Sequence, residues 1–244
     1  MLFHIGRYFI MLSKIFSKPE KHSIYWRKTM REVMVLGIDS LPIIAIISIF
    51  MGAVVTIQTA TNIEGSMIPM YLVGYTARQS VVLEFSCTMM SLILAGKIGS
   101  SIASELGLMR VTEQIDALEI MGINSKSYLI GPKIVALVFI NPFLMFISMF
   151  LGIGGAWFAG VINSMISTSE FVYGIQYDFD PFSITYATTK MIFFAFLIAS
   201  IPAYHGYFVE GGAQEVGRAS TRAVVFTMIA ILVINYAITQ VMLI

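Results

Sequence analysis

The residue types that carry most enzyme chemistry are few in this sequence and lie far apart. Its three histidines are His4, His22 and His205, and its single cysteine, Cys87, lies within an apolar stretch. These residues form no HExxH motif and no paired Cys/His spacing, so we expect no metal site. The GxSxG nucleophile motif is absent as well. A Ser–His pair that includes His205 is the catalytic alternative that the residues leave open.

Nucleotide chemistry is not predicted for this chain either. The string most similar to a phosphate-binding loop is Leu94-Ala95-Gly96-Lys97, which lacks the upstream glycine of that loop and lies within an apolar stretch. A chain without the loop cannot hydrolyse ATP by itself. If the protein pumps a solute, ATP and Mg²⁺ must be bound by a separate partner, and we expect no cofactor in this chain.

Three polar side chains interrupt otherwise apolar stretches and are candidates for function, because such groups are costly in a membrane. Glu84 is expected either to contact lipid headgroups at a cavity or to fix helix packing as a buried, hydrogen-bonded carboxylate. Lys97 is expected either to reach the interface or to form a salt bridge with a cytoplasmic segment. Gln58 is expected to hydrogen-bond across helices or to face the cavity.

The elements that position these residues are long apolar stretches. The chain has 244 residues, of which 57% are hydrophobic and only 12% are charged, about half the charge of a soluble domain. Residues 1–40 are mixed in composition and predict interfacial helices before the first span. Five membrane spans are predicted at about 41–61, 81–103, 132–162, 184–205 and 222–244. The expected fold is an all-α membrane protein with one domain over residues 1–244.

The distribution of lysine and arginine predicts the orientation of the spans. Residues 1–40 carry seven of these cations, residues 104–133 carry three and residues 205–222 carry two. Residues 61–80 carry one, and residues 163–183 carry none. The pattern predicts a cytoplasmic N-terminus and a C-terminus on the outer side.

The connection between the second and third spans does not look like a membrane span. Apolar and charged residues alternate there at helical spacing, which predicts a short amphipathic helix over about 110–122 that ends at Gly122. Three acids on its polar face disfavour an anionic lipid surface and favour a protein partner. An interfacial helix and a solvated charged face are the alternatives. The candidate contact residues are Arg110, Glu113, Gln114, Asp116 and Glu119.

The segment AGKIGSSIASELGLMRVTEQIDALEIMG, residues 95–122, closely resembles the central motif of MlaE-type permeases, the membrane subunits of transporters that maintain outer-membrane lipid asymmetry. Three further segments are similar to that family. They are Lys18-Pro19-Glu20, FMGAVVTIQ at 50–58, and Gly206-Tyr207 followed by VGRASTRAVV at 216–225. The resemblance covers nearly the whole chain after residue 18.

Two sites depart from the family pattern. Members usually carry Arg-Glu followed by Gly-Pro near the start of the second span, where this chain keeps Glu84 but reads Leu83-Glu84-Phe85-Ser86-Cys87. The usual Ala-Gly-Arg reads Ala95-Gly96-Lys97, which keeps the charge but loses a bidentate donor. These changes concern how the substrate is recognised and do not change the predicted class of protein.

The resemblance implies a homodimer of five-span subunits in a bacterial inner membrane. A separate cytoplasmic ABC ATPase would bind the coupling helix of each subunit, and a periplasmic ring-forming MCE protein would cap the outer side. The substrate would be a phospholipid or a similar lipid, moved between the inner and outer membranes. A stand-alone secondary transporter of lipid or small molecules, and an intramembrane enzyme, are the alternatives.

Overall fold

The computed structural model describes residues 2–16, 22–63, 65 and 67–243. Helix α1 spans Leu2–Phe16 and helix α2 spans His22–Glu32. They confirm a helical region before the first span, whereas its position at the membrane interface stays a prediction. The Lys18-Pro19-Glu20 element lies outside the described residues.

The remaining helices follow one another with few long connections. They are α3 (Leu41–Ile63), α4 (Tyr71–Ser80), α5 (Met90–Leu94), α6 (Ser100–Val111), α7 (Gln114–Ile120), α8 (Ser125–Leu129), α9 (Gly131–Ile162), α10 (Thr168–Gln176), α11 (Phe182–Tyr207) and α12 (Ala213–Leu243). The π-helical segments Val33–Gly37, Val81–Met89 and Ala95–Gly99 and the 3-10 turn Ile38–Ser40 join some of them end to end. Every regular element in the described part of the chain is helical, as predicted.

Five helical segments are long and apolar enough to cross a membrane, which confirms the predicted number of spans. They are Ile24–Ile63, Tyr71–Val111, Ser125–Ile162, Phe182–Tyr207 and Ala213–Met242. Several of these helices are longer than the apolar stretches that predicted them. Polar residues continue the helix beyond the point at which hydropathy alone predicts its end. The chain is therefore a multi-pass, all-α membrane protein.

The helix of the second span begins ten residues before the predicted start at about 81, at Tyr71. Its first turns contain polar side chains whose hydrogen bonds are satisfied within the protein. Thr76 donates to the carbonyl of Leu72 at 2.8 Å. Arg78, only 5% exposed, donates to the carbonyls of Ile175, Tyr177 and Asp178 at 2.6, 3.0 and 3.1 Å. These bonds offset the cost of burying a guanidinium group.

The chain divides into two compact units. The first unit contains Met1–Asp39, Ser91–Asn141 and Ile192–Ile244, and the second contains Ser40–Met90 and Pro142–Met191. The prediction of a single permease domain over 1–244 stays a prediction.

In the second unit, helices α3 and α9 approach closely through glycine. A Cβ atom at Gly52 would lie 1.8 Å from the carbonyl oxygen of Gly152, and one at Gly155 would lie 2.2 Å from that of Ile49. The hydroxyl groups of Ser48 and Ser148 are hydrogen-bonded at 2.7 Å. Small residues therefore supply the close packing that substitutes for hydrophobic burial between helices in lipid.

In the first unit, α6 packs against α11 and α12. A Cβ atom at Gly206 in α11 would lie 2.5 Å from the carbonyl oxygen of Ala103 in α6. Ile102 and Leu106 on α6 are fully buried. This packing holds the C-terminal end of α6, and with it the start of the connection that leads to α7.

Candidate functional site

Glu84 lies in the π-helical segment Val81–Met89, within the second unit. Its Oε1 atom accepts a hydrogen bond from Lys190 Nζ at 2.8 Å, and its Oε2 atom accepts one from Thr88 Oγ1 at 2.8 Å. The side chain of Glu84 is nevertheless 45% exposed. The carboxylate thus joins two helices and keeps an accessible edge. Contact of Glu84 with lipid stays a prediction.

Lys190, the partner of Glu84 on α11, is completely buried. Its Nζ atom also lies 4.2 Å from the centre of the Tyr186 ring, a cation–π distance. A buried ammonium group needs a carboxylate, because an unpaired charge in an apolar interior costs several kcal/mol. Sequence reasoning did not select Lys190 as a site residue, although its charge within the fourth span was the signal that could have found it.

The π-helical segment sets where the side chains near Glu84 lie. A π-helix holds more residues per turn than an α-helix and occurs frequently at functional sites. Here it joins α4 to α5 without breaking the helix. Cys87 is fully buried in it, and its thiol donates to the carbonyl of Leu83 at 3.0 Å. This agrees with the role of a small buried hydrophobe.

The other two candidates are not part of this cluster. Gln58 is exposed on α3, and in the described residues its side chain makes no hydrogen bond with Glu84 or Lys190. Lys97 belongs to the first unit, where it is exposed and donates to the carbonyl oxygen of Asp39. It forms no salt bridge with the connection after α6 in the part of the chain that the structure describes. A cavity-facing role for either residue stays a prediction.

The predicted single helix over 110–122 is wrong in its continuity. Helix α6 continues to Val111, Glu113 adopts a left-handed conformation with φ of 60°, and α7 covers only Gln114–Ile120. The turn is held by the Glu113 amide, which donates to the carbonyl of Arg110 at 3.1 Å. The predicted end is confirmed, because Gly122 has φ of 77° and its amide donates to the carbonyl of Glu119 at 3.0 Å.

Three of the five candidate contact residues are bonded to their own chain. Arg110 pairs with Asp116 at 2.6 Å. Glu119 Oε1 accepts from the Tyr207 hydroxyl at 2.7 Å and from the Ser125 hydroxyl at 2.8 Å. These two hydrogen bonds, the one from Tyr207 first, hold the pKa of the Glu119 carboxyl below its ordinary value. The bonds fasten α7 to the end of α11.

The outer face of α7 is more apolar than expected. Glu113 and Gln114 are exposed, and their contact with a partner stays a prediction. Ile120 is 87% exposed and Met121 is 65% exposed, whereas Ile115 is fully buried. The apolar residues of this connection are therefore divided between the protein interior and the surface. Ile120 and Met121 are surface residues that the sequence did not select.

A second buried lysine lies in the first unit. Lys133, in the first turn of α9, is 2% exposed. Its Nζ atom donates to both carboxylate oxygens of Glu32 at 2.9 Å and to Glu105 at 2.7 Å. The two carboxylates offset the unfavourable position of a cation at a helix N-terminus. This triad connects α2, α6 and α9.

The arrangement of side chains suits polar recognition in an apolar environment. In the part of the chain that the structure describes, no group of three or more His, Cys, Asp or Glu side chains is placed to hold a metal ion. The Glu84–Lys190 pair can present a carboxylate edge to a ligand, and α7 can present a small apolar face to a protein.

Comparisons with known sequences agree over almost the whole chain. The family described as Permease MlaE matches residues 29–241. A probable ABC transporter permease protein of Rickettsia bellii is 32% identical over 241 residues, which are 97% of this chain and 91% of the relative. The chloroplastic protein TRIGALACTOSYLDIACYLGLYCEROL 1 of Arabidopsis thaliana is 28% identical over 240 residues, 95% of this chain and 66% of the relative. The intermembrane phospholipid transport system permease protein MlaE of Haemophilus influenzae is 26% identical over 235 residues, 96% of this chain and 89% of the relative.

Proposed function

This chain belongs to the MlaE permease family, and on that premise we propose that it is the membrane subunit of an ABC transporter that moves phospholipid between the inner and outer membranes. The name of the Haemophilus influenzae relative, a permease of an intermembrane phospholipid transport system, supports the substrate class. The names of the Rickettsia relatives support the ABC class. The observation in the structure that carries the proposal is a half-exposed Glu84 carboxylate held by a buried lysine within a membrane span.

The chemistry of Glu84 fits the recognition of a lipid headgroup. An edge of the carboxylate is exposed while both of its oxygens accept hydrogen bonds from the protein. Such bonds fix the direction of the group, and an oriented charge in an apolar site interacts with a ligand more strongly than in water. We assign Glu84, and separately Gln58 on α3, to the surface that contacts lipid during transport.

The energy for transport would come from a separate ATPase subunit that binds α7. Ile120 and Met121 supply an exposed apolar tip, and Glu113 and Gln114 supply a polar margin. A small apolar centre with a polar rim is typical of protein interfaces. Because Glu119 is bonded to Tyr207 at the end of α11, a displacement of α7 by the ATPase would reach the fourth span as a rigid-body movement.

The remaining features of the proposed assembly follow from the family. We propose a homodimer, a periplasmic MCE-domain partner, and a bacterial inner-membrane location with the N-terminus in the cytoplasm.

A stand-alone secondary transporter is the second candidate, and the Glu84–Lys190 pair is the observation that favours it, since intramembrane ion pairs are typical of ion-coupled transporters.

Co-purification tests the ABC assignment directly. The tagged protein, extracted in mild detergent, is expected to retain a P-loop ATPase, an MCE-domain protein and phospholipid, all identified by mass spectrometry. Ile120→Asp should abolish recovery of the ATPase, since a charge replaces the apolar tip. Met67→Asp is the matched control, because Met67 is also fully exposed but lies in the connection before α4. Recovery of the protein without an ATPase, even after cross-linking, would contradict the ABC assignment and favour the secondary transporter.

A further inference from the structure

A cavity of about 850 Å³ lies between α1, α11 and α12. Its volume falls within the range of about 300–1,000 Å³ that is usual for ligand sites. All of its lining residues belong to the first unit, whereas Glu84 and Lys190 belong to the second. The cavity is therefore distinct from the polar cluster assigned to transport.

Helix α1 forms one wall of the cavity and is held there by polar contacts with α11. His4 Nδ1 is hydrogen-bonded to the Tyr204 hydroxyl at 2.9 Å, and the Tyr8 hydroxyl is bonded to Ser200 Oγ at 2.7 Å. Burial raises the pKa of the Tyr8 hydroxyl above its ordinary value, so this group stays neutral. Two hydrogen bonds thus fix this wall of the cavity to α11.

One end of the cavity is cationic. Arg7 and Arg222 both line it, on α1 and α12 respectively. The guanidinium carbon of Arg7 lies 3.8 Å from the centre of the ring of Phe208, which directly follows α11. Near the same end of α11, the ring of His205 stacks on that of Phe226, one helical turn after Arg222, with 5.4 Å between the ring centres. Both arginines therefore belong to the part of the cavity at the C-terminal end of α11.

The two arginines are not neutralised by acids in the described part of the chain. Neither Arg7 nor Arg222 forms an ion pair there. The acids that line the cavity are Glu210 and Glu215, and Glu215 is already paired with Arg218 at 2.6 Å. Two cations therefore face a cavity that contains one uncommitted acid, which favours an anionic occupant.

The rest of the lining is apolar and follows α12. Phe226, Ile229 and Val233 are 48%, 52% and 62% exposed, and all three line the cavity. The stretch of α12 from Arg222 to Ile234 is about 18 Å long at about 1.5 Å per residue. Half of the hydrocarbon core of a bilayer is about 15 Å thick. The wall is therefore long enough for one acyl chain of a single leaflet.

We propose that this cavity binds an anionic glycerophospholipid from the leaflet that contains α1, with its phosphate between Arg7 and Arg222 and one acyl chain along Phe226, Ile229 and Val233. Guanidinium groups bind phosphate oxygens bidentately, which gives this end its preference for phosphate. The bound lipid bridges α1 and α12 and stays with the protein as a structural component. This site is additional to the transport function proposed above and does not depend on it.

The test uses the full-length protein, together with any subunits that co-purify, after removal of lipid in a neutral detergent. Phosphatidylglycerol and phosphatidylcholine with the same acyl chains are titrated separately. Native mass spectrometry counts the bound lipids and thermal unfolding reports their effect on stability. We expect one phosphatidylglycerol per chain, bound about tenfold more tightly than phosphatidylcholine, because both lipids offer a phosphate but the choline cation of phosphatidylcholine is repelled by the same two guanidinium groups.

Two pairs of variants assign the binding to the cavity. The double variant Arg7→Gln/Arg222→Gln should lose the tenfold preference, whereas Arg31→Gln, which removes an exposed cation from α2 outside the cavity, should keep it. Val233→Trp should weaken binding by filling the wall. Leu232→Trp changes the neighbouring residue, which is 52% exposed but does not line the cavity, and should not weaken binding.

Four outcomes would overturn the proposal. Equal binding of the two lipids would exclude recognition of the anionic headgroup, and an unchanged preference in the double arginine variant would exclude these residues. Equal stabilisation by inorganic phosphate would exclude the acyl chain. Cross-linking between cysteines placed at Val233 in two copies would show that a second subunit, and not lipid, fills the cavity.

Discussion

The two buried lysines in the described part of the chain, Lys133 and Lys190, are paired in different ways. Lys133, in the first unit, donates to two carboxylates, both oxygens of Glu32 and one of Glu105. Lys190, in the second unit, is completely buried and has one carboxylate, Glu84, within ion-pair distance among the described residues. Its Nζ atom also lies over the face of Tyr186, which attracts a cation far more weakly than a carboxylate does.

The different pairing suggests that Lys133 has a structural role, whereas the charge of Lys190 can respond to a ligand. An ammonium group has three donors, and at Lys133 all three have an acceptor on a carboxylate. If one acid is lost, the other remains. At Lys190 the one carboxylate among the residues that the structure describes is Glu84, whose side chain is 45% exposed. A ligand that reaches Glu84 therefore acts on a buried ammonium group that has no second acid in that part of the chain.

The largest effect is expected for Glu84→Ala. The substitution leaves Lys190 buried without a carboxylate, and removal of one partner of such a pair costs about 3–5 kcal/mol. We expect about 3 kcal/mol, since Glu84 is partly solvated, measured as a fall in the thermal unfolding midpoint of the protein in detergent. Unchanged stability would mean that the two lysines do not differ as described.

A double variant separates folding from transport at this pair. Glu84→Ala/Lys190→Met removes both charges, and replacement of a buried pair by apolar residues is often neutral for stability. We expect the double variant to regain most of the lost stability while phospholipid transport stays abolished. Recovery of transport with stability would show that the pair only fixes helix packing.

The Lys133 triad should respond less to single changes and more to a double change. Glu105→Gln and Glu32→Gln each leave one carboxylate on the lysine, so we expect each to cost about 1 kcal/mol, the value of one hydrogen bond. Together they leave Lys133 without an acid, and the cost should exceed the sum of the singles by about 1–2 kcal/mol. The measurement is a double-mutant cycle of thermal unfolding, and strict additivity would contradict the redundancy.

Much of the fold could be predicted from sequence because it depends on local properties. Five apolar stretches predicted five spans, and Gly122 predicted the end of α7, since hydropathy and backbone preference act over a few residues. The start of the second helix was missed for the opposite reason. Arg78 looks like a loop residue, and the carbonyls that bury it lie about 100 residues further along the chain.

The residues of the candidate site also differ in whether a local signal in the sequence predicts them. A charge within an apolar stretch is a local signal, and both Glu84 and Lys190 carry it. Their pairing has no local signal, because the two residues lie 106 positions apart in sequence and are brought together by the packing of helices. The break at Glu113 could not be predicted, because a non-glycine residue seldom adopts a positive φ. Neutral Tyr207 and Ser125, which decide the orientation of Glu119, carry no charge pattern to reveal them.

Glu119 is a third case to compare with Glu84 and the Lys133 triad, and its contribution to stability should be the smallest. Its carboxylate is held mainly by hydroxyl groups and not by a buried lysine. Lys126 is 3.9 Å away, and the Glu119 side chain is 48% exposed. Its pKa is lowered, first by the hydrogen bond from Tyr207 and then by that from Ser125. A lowered folded-state pKa contributes stability above the pKa of the unfolded carboxyl, about 4.3, and this contribution is lost as the pH falls through the folded value.

We expect Glu119→Gln to lower the unfolding midpoint slightly at pH 7 and to approach the wild type below pH of about 4. Glu113→Gln, at the exposed start of α7, should have no effect at pH 7. A Glu119→Gln deficit that stayed constant from pH 7 to about 3.5 would show that the hydroxyl groups hold the protonated acid as well as they hold the carboxylate.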